Sequence, residues 1–195
     1  MTAPDRSANT KQLRLRADAA VNRERILAAA REALALSGDA SMLSIAKRAG
    51  IGQGTMYRHF ATREALILAV HRKDVRELVE AAPKLLATRP PLIAVREWFD
   101  QLASYGRIKH GLADALYSVM RETLADEGYT SIVDVITLLL DAGKQAGTVR
   151  HDIDAEEMLL LVGFLWRIES DERWEARSSH LLDLVMDSLR PRATE

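Results

Sequence analysis

Ser41–Leu66 reads SMLSIAKRAGIGQGTMYRHFATREAL, and this stretch decides the fold. Its first segment, Met42 to Ala49, puts Ile45, Ala46 and Ala49 on one stripe at helical spacing. The Ser41 hydroxyl stands where it can cap that helix. Gly50 occupies the position at which a helix needs a left-handed residue to stop. Ile51 then supplies an apolar plug, and a very short second helix is expected from about Gln53 to His59. Ala46 and Gly50 lie four apart, a spacing that suits a tight turn with the second helix packed across the first. That is the helix-turn-helix arrangement, whose second helix enters the DNA major groove.

The residues of that second helix fit such a task. Gln53, Gly54 and Thr55 form its N-terminal end, where backbone N–H groups point outward and suit an anion. Gly52 and Gly54 carry no side chain, so the backbone can approach DNA closely. Arg58 is the best candidate for reading guanine, because its fork matches O6 and N7. Met56 and Phe60 are assigned to the core; for Tyr57 the competing reading is a half-buried packing residue. Gly50-x-Gly52-x-Gly54 is a weak signal for a nucleotide loop, since no strand precedes it. Thr62 can cap the following helix.

The segment Ile45–Leu66 resembles the DNA-binding segment of the tetracycline-repressor (TetR) family of bacterial transcription regulators. The matching features are Ala46-x-x-x-Gly50, then Thr55-x-Tyr57-x-His59-Phe60, then Arg63-Glu64-Ala65-Leu66 after a small or polar pair. The match spans roughly Asn22 to Val70; beyond it only helical pattern and length are similar. The resemblance implies that Thr55, Tyr57 and His59 contact phosphates or base edges, that Gln53 sits at a base-reading position and that Arg63 lies on a phosphate. The expected DNA-binding set is therefore Ser41, Gln53, Gly54, Thr55, Tyr57, Arg58, His59 and Arg63.

Charge is distributed as such a reading requires. Residues 1–73 carry 13 Lys and Arg against 6 Asp and Glu, while residues 74–195 carry 14 against 22. A basic first part and an acidic remainder is the balance expected if only the first part faces phosphate. Chance asymmetry is the competing explanation. There is no cysteine, hence no disulfide framework and no thiol chemistry. The longest apolar stretches, Ile132 to Leu140 and Met158 to Trp166, fall short of the roughly 20 residues of a membrane span. The N-terminal residues hold no apolar signal core, so a cytoplasmic protein without membrane contact is expected.

Taken in order, residues 1–21 hold Pro4, Asn9 and the scattered cations Arg6, Lys11, Arg14 and Arg16, and read as a disordered basic arm. It either tracks phosphates or is a plain solvated tail. Asn22 is a good cap for a helix from Arg23 to Leu36, with Ile26, Leu27, Ala30 and Leu34 as its buried stripe. Arg23 and Arg25 would then oppose the dipole of that helix. Residues 22–68 form a three-helix DNA-binding domain on this reading, and 69–195 a second helical domain. A long helix starts at Arg63 and is expected to end near Ala81, with Pro83 and Arg89-Pro90-Pro91 marking the end and a linker. His71 on it reads as a surface or packing residue, with ligand binding as the weaker alternative. Further helices are expected over Leu92–Arg107, Gly111–Asp126, Thr130–Gln145, Ala155–Ser170 (capped by Asp152 or Asp154) and Trp174–Leu189. The chain is thus all-α, with about nine helices.

Met158–Trp166 has hardly any polar face, and a helix apolar all round must be buried all round. In a domain this small a second subunit helps to cover it. The resemblance implies a four-helix dimer interface from the last two long helices of each chain. Leu159, Gly163, Trp166, Leu181, Leu184 and Val185 are the expected interface; a central core helix in a monomer is the alternative. Aromatics make up only 5% of the chain. Yet Trp98, Phe99, Tyr105, Tyr117, Phe164 and Trp166 all fall in the C-terminal helices. Members of the family generally bind a small molecule there, and such sites are apolar with a few polar groups. Trp98, Tyr105, Tyr117 and Met120 are candidate lining residues, with His110 as a polar contact; an ordinary aromatic core competes for each of them.

No cofactor and no metal is expected: Arg150-His151-Asp152-x-Asp154 reads as a polar turn before a helix cap. The expected function is transcriptional repression by a homodimer. It would bind a near-palindromic double-stranded DNA operator and be released by a small apolar or amphipathic effector. Two other readings remain at this point. A helical enzyme lacks any HExxH, phosphate loop in context or Ser-His-Asp set. A small-molecule-binding helical protein with weak or no specific DNA binding is opposed by the intact Thr55, Tyr57 and His59.

Overall fold

A computed structural model describes residues 6–36, 39–111, 125–169 and 171–191; over 6–16, 107–111 and 125–127 it describes the backbone alone. Eight α-helices and one 3-10 segment occur among the described residues, and no strand. In chain order they are α1 (Arg6–Leu36), α2 (Met42–Arg48), α3 (Gln53–His59), α4 (Arg63–Thr88), α5 (Pro91–Gly111), α6 (Ala125–Gln145), α7 (Ala155–Leu161), the 3-10 segment (Val162–Trp166) and α8 (Trp174–Leu189). The chain divides into two compact units, Met1–Val70 and His71–Glu195.

The first unit is built on the predicted stripe of α1. Ile26, Leu27, Ala30 and Leu34 are buried, and Ile45, Ala46, Met56, Phe60, Leu66 and Ile67 complete the core. Helix α1 begins at Arg6, not at Arg23. Nothing between Pro4 and Gly38 breaks a helix, and residues 11–20 are mostly strong helix formers. Propensity therefore makes a helix where no apolar pattern announced one, and the disordered arm is corrected over that span. Arg23 and Arg25 now lie mid-helix, so their conflict with the helix dipole disappears.

The second unit has its own core around Trp98, Phe99, Leu102, Ile136, Leu139, Met158, Leu182 and Leu189. Trp98 is fully buried, and its indole Nε1 donates to the Leu78 carbonyl at 2.9 Å. Helix α4 runs through Pro83 to Thr88 instead of ending before it. A proline removes one helical hydrogen bond. Burial of Leu78 and Ala82 before it, and packing of Leu85 and Leu86 after it, outweigh that loss. The stop comes at Arg89–Pro90; Pro91 then takes the first position of α5, where its missing N–H costs nothing. Arg96 ties α5 to α8 through Asp183 at 3.1 Å and the Ser179 hydroxyl at 3.0 Å.

Asp154, not Asp152, caps α7. Its carboxylate accepts from the Glu157 amide at 2.8 Å, and the Glu157 carboxylate accepts from the Asp154 amide at 3.1 Å. The predicted single helix Ala155–Ser170 is not continuous, because it tightens into 3-10 geometry at Val162. Val162, Leu165 and Ile168 are buried, and a spacing of three fits a 3-10 turn rather than an α-helix. Of the predicted helix Gly111–Asp126, residues 112–124 lie outside the described residues.

Candidate nucleic-acid interface and effector cavity

In the first unit the turn between α2 and α3 follows from backbone chemistry. Ser41 caps α2, its hydroxyl accepting from the Ser44 amide at 3.1 Å. The other end closes as a Schellman motif: the Ile51 amide donates to Ala46 at 3.1 Å and the Gly50 amide to Lys47 at 3.2 Å. Gly50 sits at φ +68°, which a residue with a Cβ adopts only with strain. Helix α3 then starts from Gly52 with no side-chain cap, so its first N–H groups are not taken by a capping side chain.

One residue pins α3 and the rest of it faces outward. Met56 is fully buried, whereas Gln53, Gly54, Tyr57 and Arg58 are exposed, Tyr57 at 48%; Thr55 and His59 are half-buried. Tyr57 is therefore not a packing residue within this chain. The Arg58 guanidinium donates to the Thr55 hydroxyl at 2.9 Å, which holds its fork over the N-terminal half of α3. A Cβ built on Gly52 or Gly54 meets no atom within 4 Å. Neither position is glycine for lack of room inside the protein. Phe60 is buried with the Arg23 guanidinium 5.1 Å from its ring centroid, a cation–π contact that ties α1 to the end of α3.

Arg63 is placed differently from the others. Half-buried, it donates through Nε to the Ala40 carbonyl at 3.3 Å and so braces the turn ahead of α2. Thr62 caps α4, accepting from the Ala65 amide at 3.1 Å. Beside it the exposed Glu64 carboxyl is held below its ordinary range, first by its own backbone amide and then by the Thr62 hydroxyl.

In the second unit a cavity of about 820 Å³ has largely apolar walls. Of the predicted lining residues, Tyr105 is on its wall. Trp98 is not: it is a core residue. Tyr117 and Met120 lie outside the described residues, and His110 lies in α5 with its side chain outside them. Leu159, Gly163 and Trp166, expected at a dimer interface, line this cavity. Val185, expected there too, is buried within its own chain, because α8 turns it inward beside Leu182 and Leu189.

His71 was missed. It is 6% exposed, lines the cavity, and its Nδ1 lies 2.9 Å from the Tyr105 hydroxyl. The signal was present in the sequence. His71 and Asp74 fall on the inward stripe of α4 between Val70 and Leu78, and a polar residue on a buried stripe is the informative exception. The Tyr105 phenol is pushed up in pKa, chiefly by burial and then by the Asp74 charge. Trp166 meets Tyr105 edge-on at 6.0 Å between centroids and lies so close to Gly106 that a methyl group there would collide with its ring.

Two stretches of the chain match known families. Residues 26–70 fit the family described as bacterial regulatory proteins, tetR family. Residues 90–191 fit the C-terminal domain described as transcriptional regulator SbtR-like. The chain belongs to the TetR family. The TetR transcriptional regulator SCO0520 from Streptomyces coelicolor is 39% identical, with 88% of this chain and 99% of that one covered and a TM-score of 0.78. A TetR transcription regulatory protein from Mycobacterium vanbaalenii is 34% identical over 91% of this chain and 99% of its own, with a TM-score of 0.73. The HTH-type transcriptional repressor Rv1474c of Mycobacterium tuberculosis is 29% identical over 181 residues, 88% of this chain and 94% of that protein. As a TetR-family member the chain is a DNA-binding transcriptional regulator, not an enzyme. Among its described residues no helix is long and apolar enough to cross a membrane.

Proposed function

We propose that this regulator is a cytoplasmic repressor that grips a near-palindromic operator as a homodimer and lets go when an effector fills the cavity. One observation carries the DNA half of the reading. Met56 fixes α3 to the core while Gln53, Gly54, Tyr57 and Arg58 are left facing outward. Thr55 and His59 complete that face, Arg58 is the guanine reader, and Ser41 and Arg63 hold the frame around it. That a 29% identical relative is a repressor supports repression over activation.

The dimer reading rests on leucines that the chain leaves uncovered. Leu160, Leu161 and Leu184 are 81%, 45% and 54% exposed. Leu160 and Leu161 are neighbours on α7, and an exposed apolar patch marks a contact surface. The proposed interface therefore centres on them and on the half-buried Leu181. In such a dimer two recognition helices stand about 34 Å apart, one DNA turn. Helix α4 contains both the Thr62-capped start next to α3 and the cavity residues His71 and Val75. An effector that prefers the dimer form with the wrong spacing shifts the population away from DNA, by no more than its differential affinity.

Selection of DNA from a random pool by the purified protein tests this. The expected enriched sequence is an inverted repeat with half-sites one turn apart, and sedimentation at micromolar concentration is expected to give a dimer. Enrichment of an unrepeated site, or a sedimenting monomer, would contradict the dimeric reading.

A further inference from the structure

We infer that the effector is an amphiphile whose apolar body fills the large cavity and whose oxyanion head is held by Arg72 and Arg76 in a groove beside it. The inference deepens the effector reading above and rests on it. It starts from a charge pattern on α4. Arg72 and Arg76 lie four residues apart, so they share one face of the helix, and like charges at that spacing repel. Elsewhere on the same helix cations at this spacing meet carboxylates: Lys73 lies 3.7 Å from Glu77, and Lys84 3.4 Å from Glu80. Glu80 is also four residues on from Arg76, yet it takes Lys84. Both arginines are exposed, and among the described residues neither has a carboxylate partner. A bound anion would relieve their mutual repulsion.

That face borders a groove of about 320 Å³, lined by both arginines and by Val79 and Ser131. His71, Val75 and Gly128 line this groove and the cavity of about 820 Å³ alike, so the two spaces meet along a shared wall. Gly128 has no side chain to thicken that wall; a Cβ there would stand 3.7 Å from the His71 ring. The large cavity is mostly apolar and falls in the range of sites that enclose whole small molecules. Burying a charge in apolar surroundings is costly, so an anionic head stays with the exposed arginines while the apolar body goes inside. Arg167 also lines the large cavity, but singly. Carboxylate and phosphate each offer two or more acceptor oxygens, and the α4 pair brings two guanidinium forks to one groove.

Calorimetric titration of the full-length protein at low salt with three probes of one chain length tests it: 1-decanol, decanoate and decyl phosphate. At least one of the anions is expected to bind about three- to thirtyfold more tightly than the alcohol, the worth of two exposed ion pairs. The tighter of the two anions tells a carboxylic acid from a phosphate ester. Added salt is expected to shrink the preference. In the double variant Arg72→Gln/Arg76→Gln it is expected to vanish while the alcohol binds as before, and in Arg72→Lys/Arg76→Lys, which keeps both charges, to return in part. Equal binding of alcohol and anions to the native protein would overturn the inference and leave the effector reading standing; that comparison needs no variant to fold. A preference that survives the double glutamine change, or is lost instead in Arg167→Gln, would overturn it as well. No binding of any of the three would overturn the effector reading for this cavity and the inference with it.

Discussion

Replacing Gly54 by alanine should make the protein more stable and worse at its task. Gly54 is the second residue of α3, its φ lies outside the left-handed region, and a Cβ there meets nothing within 4 Å. Alanine loses less backbone entropy than glycine in a helix, a gain of roughly 0.5–1 kcal/mol in helix interiors and nearer the lower figure in a first turn. For a chain of this size the lower figure raises the melting temperature by about 1–2 °C. On DNA the sign reverses. The methyl group occupies the space through which the N-terminal amides of α3 reach a phosphate. Losing one charge-assisted hydrogen bond of about 1.5–3 kcal/mol weakens binding by roughly ten- to a hundredfold. Thermal melting followed by circular dichroism and operator binding followed by fluorescence anisotropy read the two effects separately. No folding defect can raise the melting temperature while weakening DNA binding. Unchanged operator affinity in a stabilised Gly54→Ala protein would refute the close approach of α3.

Tyr57→Ala and Arg58→Ala are exposed changes, expected to move stability by no more than about 0.5 kcal/mol while each weakens operator binding at least about tenfold; unaltered gel-shift affinity in both would remove α3 from the interface. Gly50→Ala places a Cβ at φ +68° and is expected to cost about 1–2 kcal/mol, read as a lower urea midpoint with unchanged slope. Tyr105 has a raised pKa in the folded chain, so its contribution is complete below the ordinary tyrosine value near 10 and is lost as pH climbs from there toward the folded value. Stability of the native protein should therefore decline in that alkaline window, and Tyr105→Phe should flatten the decline; parallel pH profiles for the two proteins would contradict the assignment.

The helix-turn-helix was legible because several local signals agree within 20-odd residues: the Ser41 cap, the left-handed Gly50, the buried Met56 and the Thr62 cap. The helix Trp174–Leu189 was legible to the residue from its apolar stripe. What failed did so where long-range packing or simple propensity outweighed the local pattern. Residues 6–21 have no apolar stripe to reveal a helix, yet they have nothing that breaks one. Pro83 has the signature of a terminus, because the packing of the half-buried Leu85 and Leu86 on the core is not written in the neighbouring sequence. The change to 3-10 geometry at Val162 shows only as a three-residue spacing of buried positions, hidden inside an unbroken apolar run. In that same run Leu159, Gly163 and Trp166, expected at an interface, line a cavity, as do the exposed Leu160 and Leu161. Trp98 has the sequence signature of a ligand contact, because aromatic residues serve cores and pockets alike; its burial and its indole bond to Leu78 put it in the core. His71 needed the opposite reasoning, from a polar side chain on a buried stripe to a site.

The most direct measurement is a salt titration of binding to the DNA upstream of the protein's own coding region, with scrambled DNA alongside. A complex that prefers the upstream sequence and weakens steeply with salt is expected, since phosphate contacts release counterions and base contacts supply the preference. Binding that is equal on both DNAs at every salt concentration, and stays equal after the protein is denatured and refolded to strip any bound inducer, would contradict an operator-reading α3 at this site.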